Sequence, residues 1–140
     1  MSTPSRRFGR SLKPFHYPRA WMALWILAIA IVVAGELLPG KDLPSLSMND
    51  KSEHFIAYAL LSASAVQLFA RRLSWAFVCL LLVLMGIALE FLQGAMGLGR
   101  SMDRYDALAN TIGVLIGLIT AFTPLRDVLL WVDRRLSSKG

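Results

Sequence analysis

The sequence predicts an all-α integral membrane protein, a four-helix bundle followed by a C-terminal amphipathic helix at the membrane interface. Three features support this. Hydrophobic residues make up 56% of the chain and charged residues 17%, with a mean hydropathy of +0.55, which is more apolar than soluble domains usually are. The apolar residues fall into four stretches that charged residues, proline or glycine interrupt. At 15.5 kDa there is room for one compact bundle and no separate soluble domain.

The first predicted helix covers about residues 20–38 and follows a basic segment, residues 1–18, that we expect to be disordered and cytoplasmic. The helical stretch is long enough, at 1.5 Å per residue, to cross a hydrocarbon core of roughly 30 Å. A cleaved signal peptide is the alternative interpretation. We favour a retained anchor because the stretch is longer than a usual signal core.

Three further spans are predicted at about residues 52–70, 74–93 and 106–122, so that the membrane domain covers residues 20–123. Arg71 and Arg72 separate the second span from the third, and Pro124 closes the fourth.

Two patterns near the C-terminus concern packing. Gly113 and Gly117 have the spacing that lets helix backbones approach closely in lipid, either within the bundle or between two copies of the chain. In the tail, residues 125–136, apolar side chains share one helical face and charged side chains lie mostly elsewhere. This pattern is typical of a helix that lies along a membrane surface.

The distribution of charge predicts the orientation. With the N-terminus inside, eleven of the fifteen Lys and Arg residues fall in cytoplasmic segments, in agreement with the positive-inside rule. All four tryptophans then lie near the cytoplasmic interface. We therefore expect a multi-pass protein of the bacterial inner (cytoplasmic) membrane with both termini in the cytoplasm. The net charge of +6 is explained by topology and anionic lipid, and no nucleic-acid-binding motif is present.

Polar side chains gather at the outer ends of the last three spans, where ionisable groups are costly beside lipid and mark a functional site. Within each predicted helix, the spacing places these polar side chains on one face. We therefore expect three helices to bring them together at one depth in the membrane. In chain order they are Asp50, Lys51, His54, Tyr58, Glu90, Gln93, Arg100, Asp103, Asp106 and Asn110.

Ordinary structural roles compete with this interpretation. Asp50 resembles a capping residue of the second helix, and Asp103 or Asp106 can cap the fourth. His54 alone is often a structural histidine. Glu90 is harder to explain in this way, because it interrupts an apolar run and needs a basic partner nearby.

Three motifs in order give the chain a family resemblance. They are D-K-x-x-H-F-x-x-Y at residues 50–58, E-x-x-Q at 90–93 and G-R-x-x-D-x-x-D-x-x-x-N-x-x-G at 99–113. With these motifs, about residues 43–122 resemble the VanZ-like membrane proteins, whose name comes from a protein linked to resistance to the glycopeptide teicoplanin. The resemblance implies a helical membrane fold, an outward-facing polar site and a role in the cell envelope that affects glycopeptide susceptibility in some relatives.

The first functional hypothesis is a protein that binds or modifies a surface or lipid-linked cell-wall component. Basic side chains would hold a phosphate or carboxylate, and acidic and amide side chains would take hydroxyls or an amine. The candidate ligand-binding residues are Asp50, Lys51, Tyr58, Gln93, Arg100 and Asn110.

The second hypothesis is a membrane-embedded hydrolase or transferase acting on a phosphate-bearing lipid. The candidate catalytic residues are His54 as general base, Glu90 as acid or base, and Asp103 or Asp106 as an oxygen ligand for Mg²⁺ or another divalent ion. No hydrolase motif supports it, and the sequence signals no metal and no cofactor. A third hypothesis is a non-catalytic partner of envelope polysaccharide or export machinery. The expected partners are the bilayer, a second copy of the chain or another membrane subunit.

Overall fold

The computed structural model describes residues 11–39, 50–97, 99 and 101–139, and the regular elements within them are helices. Two short 3₁₀ segments, Thr120–Phe122 and Pro124–Asp127, separate the fourth helix from the fifth. The helices are α1 (Pro18–Leu37), α2 (Asp50–Leu68), α3 (Arg72–Met96), α4 (Arg104–Ile119) and α5 (Val128–Ser137).

Three segments are long and apolar enough to cross a membrane, namely Pro18–Leu37, Arg72–Met96 and Arg104–Phe122. Helix α2 has a suitable length, 19 residues, but carries charged residues in its first turn. It also lies at the centre, where it contacts α1, α3 and α4. Because its neighbours shield it, α2 needs less apolar surface than they do. A fourth crossing by α2 therefore stays a prediction.

Contacts at both ends show that α1 to α4 run in alternating directions. At one end, which we call the polar end, Glu36 near the end of α1 meets His54 near the start of α2. At the opposite end, which we call the clasp end, the Trp75 indole at the start of α3 donates to the Phe69 carbonyl, just beyond α2, at 2.6 Å. The indole of Trp21, in the first turn of α1, reaches α5 there.

Helices α2 and α4 pack backbone to backbone. A side chain at Gly113 would overlap the carbonyl oxygen of Phe55, and a Cβ at Gly117 would lie 2.7 Å from Cβ of Ser62. The Ser62 hydroxyl in turn donates to the Val114 carbonyl at 2.7 Å. The glycine pair therefore serves contact within the chain.

The outer faces of α1, α3 and α4 keep large apolar side chains exposed. Such surfaces are unfavourable in water and suit contact with lipid tails. Examples that are more than half exposed are Leu27, Ile31, Phe77, Leu80, Leu115 and Ile119.

The N-terminal segment makes specific contacts at the clasp end. Backbone hydrogen bonds join Lys13 N to the Leu68 carbonyl at 2.9 Å and Ala70 N to the Ser11 carbonyl at 2.7 Å. The buried Lys13 ammonium donates to the carbonyl of Arg126 and pairs with Asp127. The sequence predicts disorder over residues 1–18, whereas Ser11 and Lys13 make these contacts. Residues 1–10 lie outside the described part.

Asp133 of α5 fixes this segment. Its buried carboxylate accepts hydrogen bonds from His16 N at 2.6 Å, Tyr17 N at 3.2 Å and Trp21 Nε1 at 2.7 Å. Burial alone would raise the pKa of Asp133, but these N–H groups hold it below the ordinary value of 3.8. That α5 also lies along a membrane surface stays a prediction.

We expect Asp133→Ala to lower the free energy of unfolding by about 1–3 kcal/mol at neutral pH, because it leaves three N–H groups without their acceptor. A carboxyl group with a depressed folded pKa stabilises above its unfolded pKa and loses that contribution as the pH falls through the folded value. The difference from the parent should therefore shrink below pH 3.8. Thermal unfolding in detergent, at pH 7 and at a pH below 3.8, measures this difference. The exposed neighbour Arg134→Gln is the control. Equal stability of the two variants at pH 7 would contradict the role of Asp133.

Candidate functional site

Polar side chains from four helices meet at the polar end. Glu36 comes from α1, His54 from α2, Gln93 from α3 and Asn110 from α4, and each is at most 6% exposed. Buried polar groups need partners, and here the partners come largely from one another. We call this group, together with Asp50, Lys51, Tyr58, Glu90, Asp103 and Asp106, the polar cluster.

His54 lies at the centre of the polar cluster. Its Nδ1 is 3.0 Å from Oδ1 of Asn110 and 3.4 Å from Oε1 of Glu36, while its Nε2 is 4.0 Å from Oδ1 of Asp50. Both atoms near Nδ1 are acceptors, so Nδ1 carries a proton.

Glu36 belongs to the polar cluster although sequence reasoning did not include it. The Tyr58 hydroxyl donates to its Oε2 at 3.3 Å, and the Gln93 side-chain amide donates to its backbone carbonyl. A signal was present, because Glu36 is the one acidic residue in the otherwise apolar α1. Like Glu90, Glu36 is an acid within an apolar helix, and such a residue marks a candidate functional site.

Glu90 is 1% exposed and faces the start of α4. Its Oε2 accepts a hydrogen bond from Asp103 N at 3.1 Å. The chain can return to Glu90 because Gly97, with φ of +63°, ends α3 in the left-handed conformation. Its Oε1 has no hydrogen-bond partner among the described residues. The described contact is to a backbone N–H group, and a basic partner for Glu90 stays a prediction, because Arg100 lies outside the described residues.

Lys51 joins α2 to the start of α4. Its Nζ lies 2.8 Å from Oδ2 of Asp103 and 3.1 Å from Oδ1 of Asp106. Asp103 caps α4 through a hydrogen bond from Tyr105 N at 2.8 Å, which confirms the expected cap. The Lys51 ammonium and then the Tyr105 N–H group lower the pKa of Asp103 below its ordinary value.

Gly86 of α3 makes room for Asn110. A Cβ at Gly86 would lie 3.0 Å from Nδ2 of Asn110 and 3.3 Å from Cε1 of Tyr58. The Asn110 amide is therefore held tightly between α2 and α3. Its Nδ2 has no hydrogen-bond partner within the described residues.

The described part of the polar cluster is rich in acid, since five carboxyl groups accompany one lysine and one histidine. Asp50 and Lys51 are 55% and 44% exposed and form its mouth, whereas the deeper members are buried. Such a site favours hydroxyl, amine or cationic groups over a further anion. Arg100 lies outside the described residues, so its role stays a prediction. The carboxyl groups are those of Glu36, Asp50, Glu90, Asp103 and Asp106.

A family model described as VanZ/LLP1 matches residues 2–127, which is most of the chain. The resemblance drawn from the three motifs is thereby confirmed, and the matched range is wider than the predicted residues 43–122. It includes every member of the polar cluster. Comparisons with curated proteins and with solved structures found no match.

Proposed function

The chain belongs to the VanZ/LLP1 family, and we propose that this member is a cell-envelope membrane protein that binds or modifies a surface or lipid-linked cell-wall component through the polar cluster. The observation that carries the proposal is the meeting of buried polar side chains from four helices at one end of a strongly apolar chain. Buried ionisable groups in such a setting are costly and are typically retained for function.

The charge distribution supports an outward-facing site. The clasp end carries a concentration of arginines, which the positive-inside rule favours on the cytoplasmic side. The polar end, on the opposite side, would then face the exterior, where cell-wall intermediates are found. The arginines at the clasp end are Arg71, Arg72, Arg126, Arg134 and Arg135.

An apolar groove supports a ligand with a lipid chain. It has a volume of about 450 Å³ and lies between α1 and α2, with Ile31 and Val32 on one side and Ile56 and Leu60 on the other. Glu53, in the first turn of α2, lines the end of the groove nearest the polar cluster. A polyprenyl chain in this groove would place its headgroup beside that cluster.

The chemistry of the cluster supports a headgroup rich in hydroxyls and amines. Carboxylate oxygens accept hydrogen bonds from such groups. The Lys51 ammonium already contacts two aspartates, so it is poorly placed to hold a phosphate alone. The sugar and peptide portions of a lipid-linked cell-wall intermediate therefore fit the described residues better than its phosphate does.

Ligand-dependent thermal unfolding of the purified full chain tests this proposal. We expect a polyprenyl diphosphate carrying the cell-wall disaccharide-pentapeptide to raise the unfolding temperature saturably, because a ligand at 100 times its Kd stabilises the folded state by about 2.7 kcal/mol. Polyprenyl alcohol is the matched control and should have no such effect. Teicoplanin serves as a second probe. If neither the lipid-linked probe nor teicoplanin stabilises the chain, the proposed binding role is wrong.

A hydrolase or transferase is the second candidate, and the pairing of His54 with Glu36 favours it. A carboxylate beside Nδ1 orients a histidine whose Nε2 can accept a proton. Turnover of a polyprenyl phosphate or diphosphate by the parent, lost in Glu90→Gln, would support this activity. Binding without turnover would leave the non-catalytic role.

A further inference from the structure

Three potential metal ligands lie close together at the mouth of the polar cluster. One ligand atom each from Asp50, His54 and Asp106 lies within 4.8 Å of the others. Asp50 and His54 are one turn apart on α2, and Asp106 lies in the first turn of α4. Two different helices thus bring two carboxylates and an imidazole together, although no metal motif links them in the sequence.

His54 is oriented as a metal-binding histidine is. Its Nδ1–H group faces Oδ1 of Asn110 at 3.0 Å and Oε1 of Glu36 at 3.4 Å. In metal sites, the ring nitrogen that does not bind the metal usually donates to a carboxylate or carbonyl oxygen, which fixes the tautomer and the ring orientation. The other nitrogen, Nε2, is on the side of Asp50. Asn110 and Glu36 therefore supply the outer shell that such a ligand requires.

Glu90 adds a buried carboxyl group that interacts with these ligands. Its carboxyl group is 1% exposed, and Oε1 has no hydrogen-bond partner among the residues that the structure describes. It interacts electrostatically with Asp106, His54 and Glu36, so its charge contributes to the electrostatic potential at these residues. A buried acceptor without a donor is costly. A divalent cation beside Asp106 would offset the accumulated negative charge.

Lys51 does not block the position. It contacts Oδ1 of Asp106, and a carboxylate has a second oxygen that can bind a cation at the same time. The ligand atoms need to move closer together, since zinc binds histidine nitrogen and carboxylate oxygen at about 2.0–2.2 Å. Asp50 lies at the mouth of the polar cluster and is 55% exposed.

We propose that Asp50, His54 and Asp106 form a divalent-cation site of the zinc class, with Asn110 and Glu36 orienting His54. The imidazole favours zinc over magnesium, which prefers oxygen ligands alone. Three protein ligands leave one coordination position open, to which a hydroxyl or phosphate oxygen of a ligand can bind. This metal site does not depend on the proposed lipid-linked ligand, because residues of the chain itself supply its three ligands.

Titration of the chelator-treated full chain with Zn²⁺ alone, in detergent, tests the site. We expect one equivalent of Zn²⁺ to bind to the parent, with Mg²⁺ far weaker and with affinity falling at acid pH, since a bound histidine must lose its proton. His54→Ala should weaken binding about 100-fold, and Asn110→Ala about 10-fold through loss of the orienting contact. His16→Ala is the matched control, because His16 is the other histidine of the chain, exposed and at the clasp end.

Absence of stoichiometric Zn²⁺ in the parent, or undiminished binding in His54→Ala, would overturn the proposal, as would a preference for Mg²⁺. If His54→Ala fails to fold, Asp50→Asn replaces it, because Asp50 is 55% exposed and tolerates substitution better. That variant should bind Zn²⁺ about 10-fold more weakly, and parental affinity would contradict the site. The titration contains no lipid and the lipid-binding test contains chelator, so the two proposals can fail separately.

Discussion

Replacing His54 by alanine is expected to reduce the affinity of the chain for the lipid-linked disaccharide-pentapeptide about tenfold or more. The imidazole lies at the centre of the polar cluster, 3.0 Å from Asn110 and 3.4 Å from Glu36. Loss of the imidazole takes from Asn110 and Glu36 the partner that they share. It also removes the ring that lies between them and Asp50 at the mouth of the cluster. Hydrogen bonds that involve charged groups contribute about 1.5–3 kcal/mol, which corresponds to roughly 10-fold to 100-fold in affinity.

The measurement is the ligand-induced rise in unfolding temperature, recorded with chelator present. Thr120→Ala is a suitable control, because Thr120 lies at the clasp end, outside the lining of the apolar groove, and its hydroxyl donates to the Gly117 carbonyl three residues earlier. Glu36→Gln is the informative second variant, since it keeps the shape of the side chain and removes its charge. Wild-type affinity in both His54→Ala and Glu36→Gln would exclude this part of the cluster from ligand binding.

Gly117→Ala is expected to lower the free energy of unfolding by about 1–3 kcal/mol, the usual cost of overpacking. The new Cβ would lie 2.7 Å from Cβ of Ser62 and 2.8 Å from Ala63 N. Both atoms belong to α2, and one is backbone, so the two helices must separate. That separation also disturbs the polar cluster, because His54 on α2 bonds to Asn110 on α4.

Gly35→Ala is the matched control for this variant. It makes the same chemical change in a helix, but its new Cβ would meet no atom of the described residues within 4 Å. Alanine is also the better helix former by about 1 kcal/mol. Thermal unfolding in detergent should therefore separate the two variants clearly. Equal stability of Gly117→Ala and Gly35→Ala would contradict the close approach of α2 and α4 at Gly117.

The helices could be predicted from the sequence because apolar runs, prolines and glycines mark them directly. The same local spacing grouped His54 with Tyr58 and Asp106 with Asn110. The first residue of each helix was harder to predict, because helix caps depend on side-chain geometry. Helix α4, for example, begins at Arg104 with Asp103 as its cap, about two residues before the predicted start.

What the sequence could not supply were contacts between distant residues. Glu36 joins the polar cluster through Tyr58 and Gln93, which are 22 and 57 positions away, and the three motifs do not reach α1. Asp133 is one of the charged residues that the helical pattern of the tail places mostly away from the apolar face, yet it is buried against residues more than 110 positions earlier. Such pairings follow from how the helices pack, which no local pattern encodes.

Accessibility labelling in intact bacterial cells tests most directly whether the polar cluster opens to the exterior. Ser101→Cys and Ser138→Cys make the same small change at exposed positions of the polar end and the clasp end, and the parent, whose single cysteine Cys79 is buried, gives the background. A membrane-impermeant maleimide should label Ser101→Cys before lysis and Ser138→Cys only after it. Labelling of Ser138→Cys alone in intact cells would place the cluster on the cytoplasmic side and contradict a role in binding external cell-wall components.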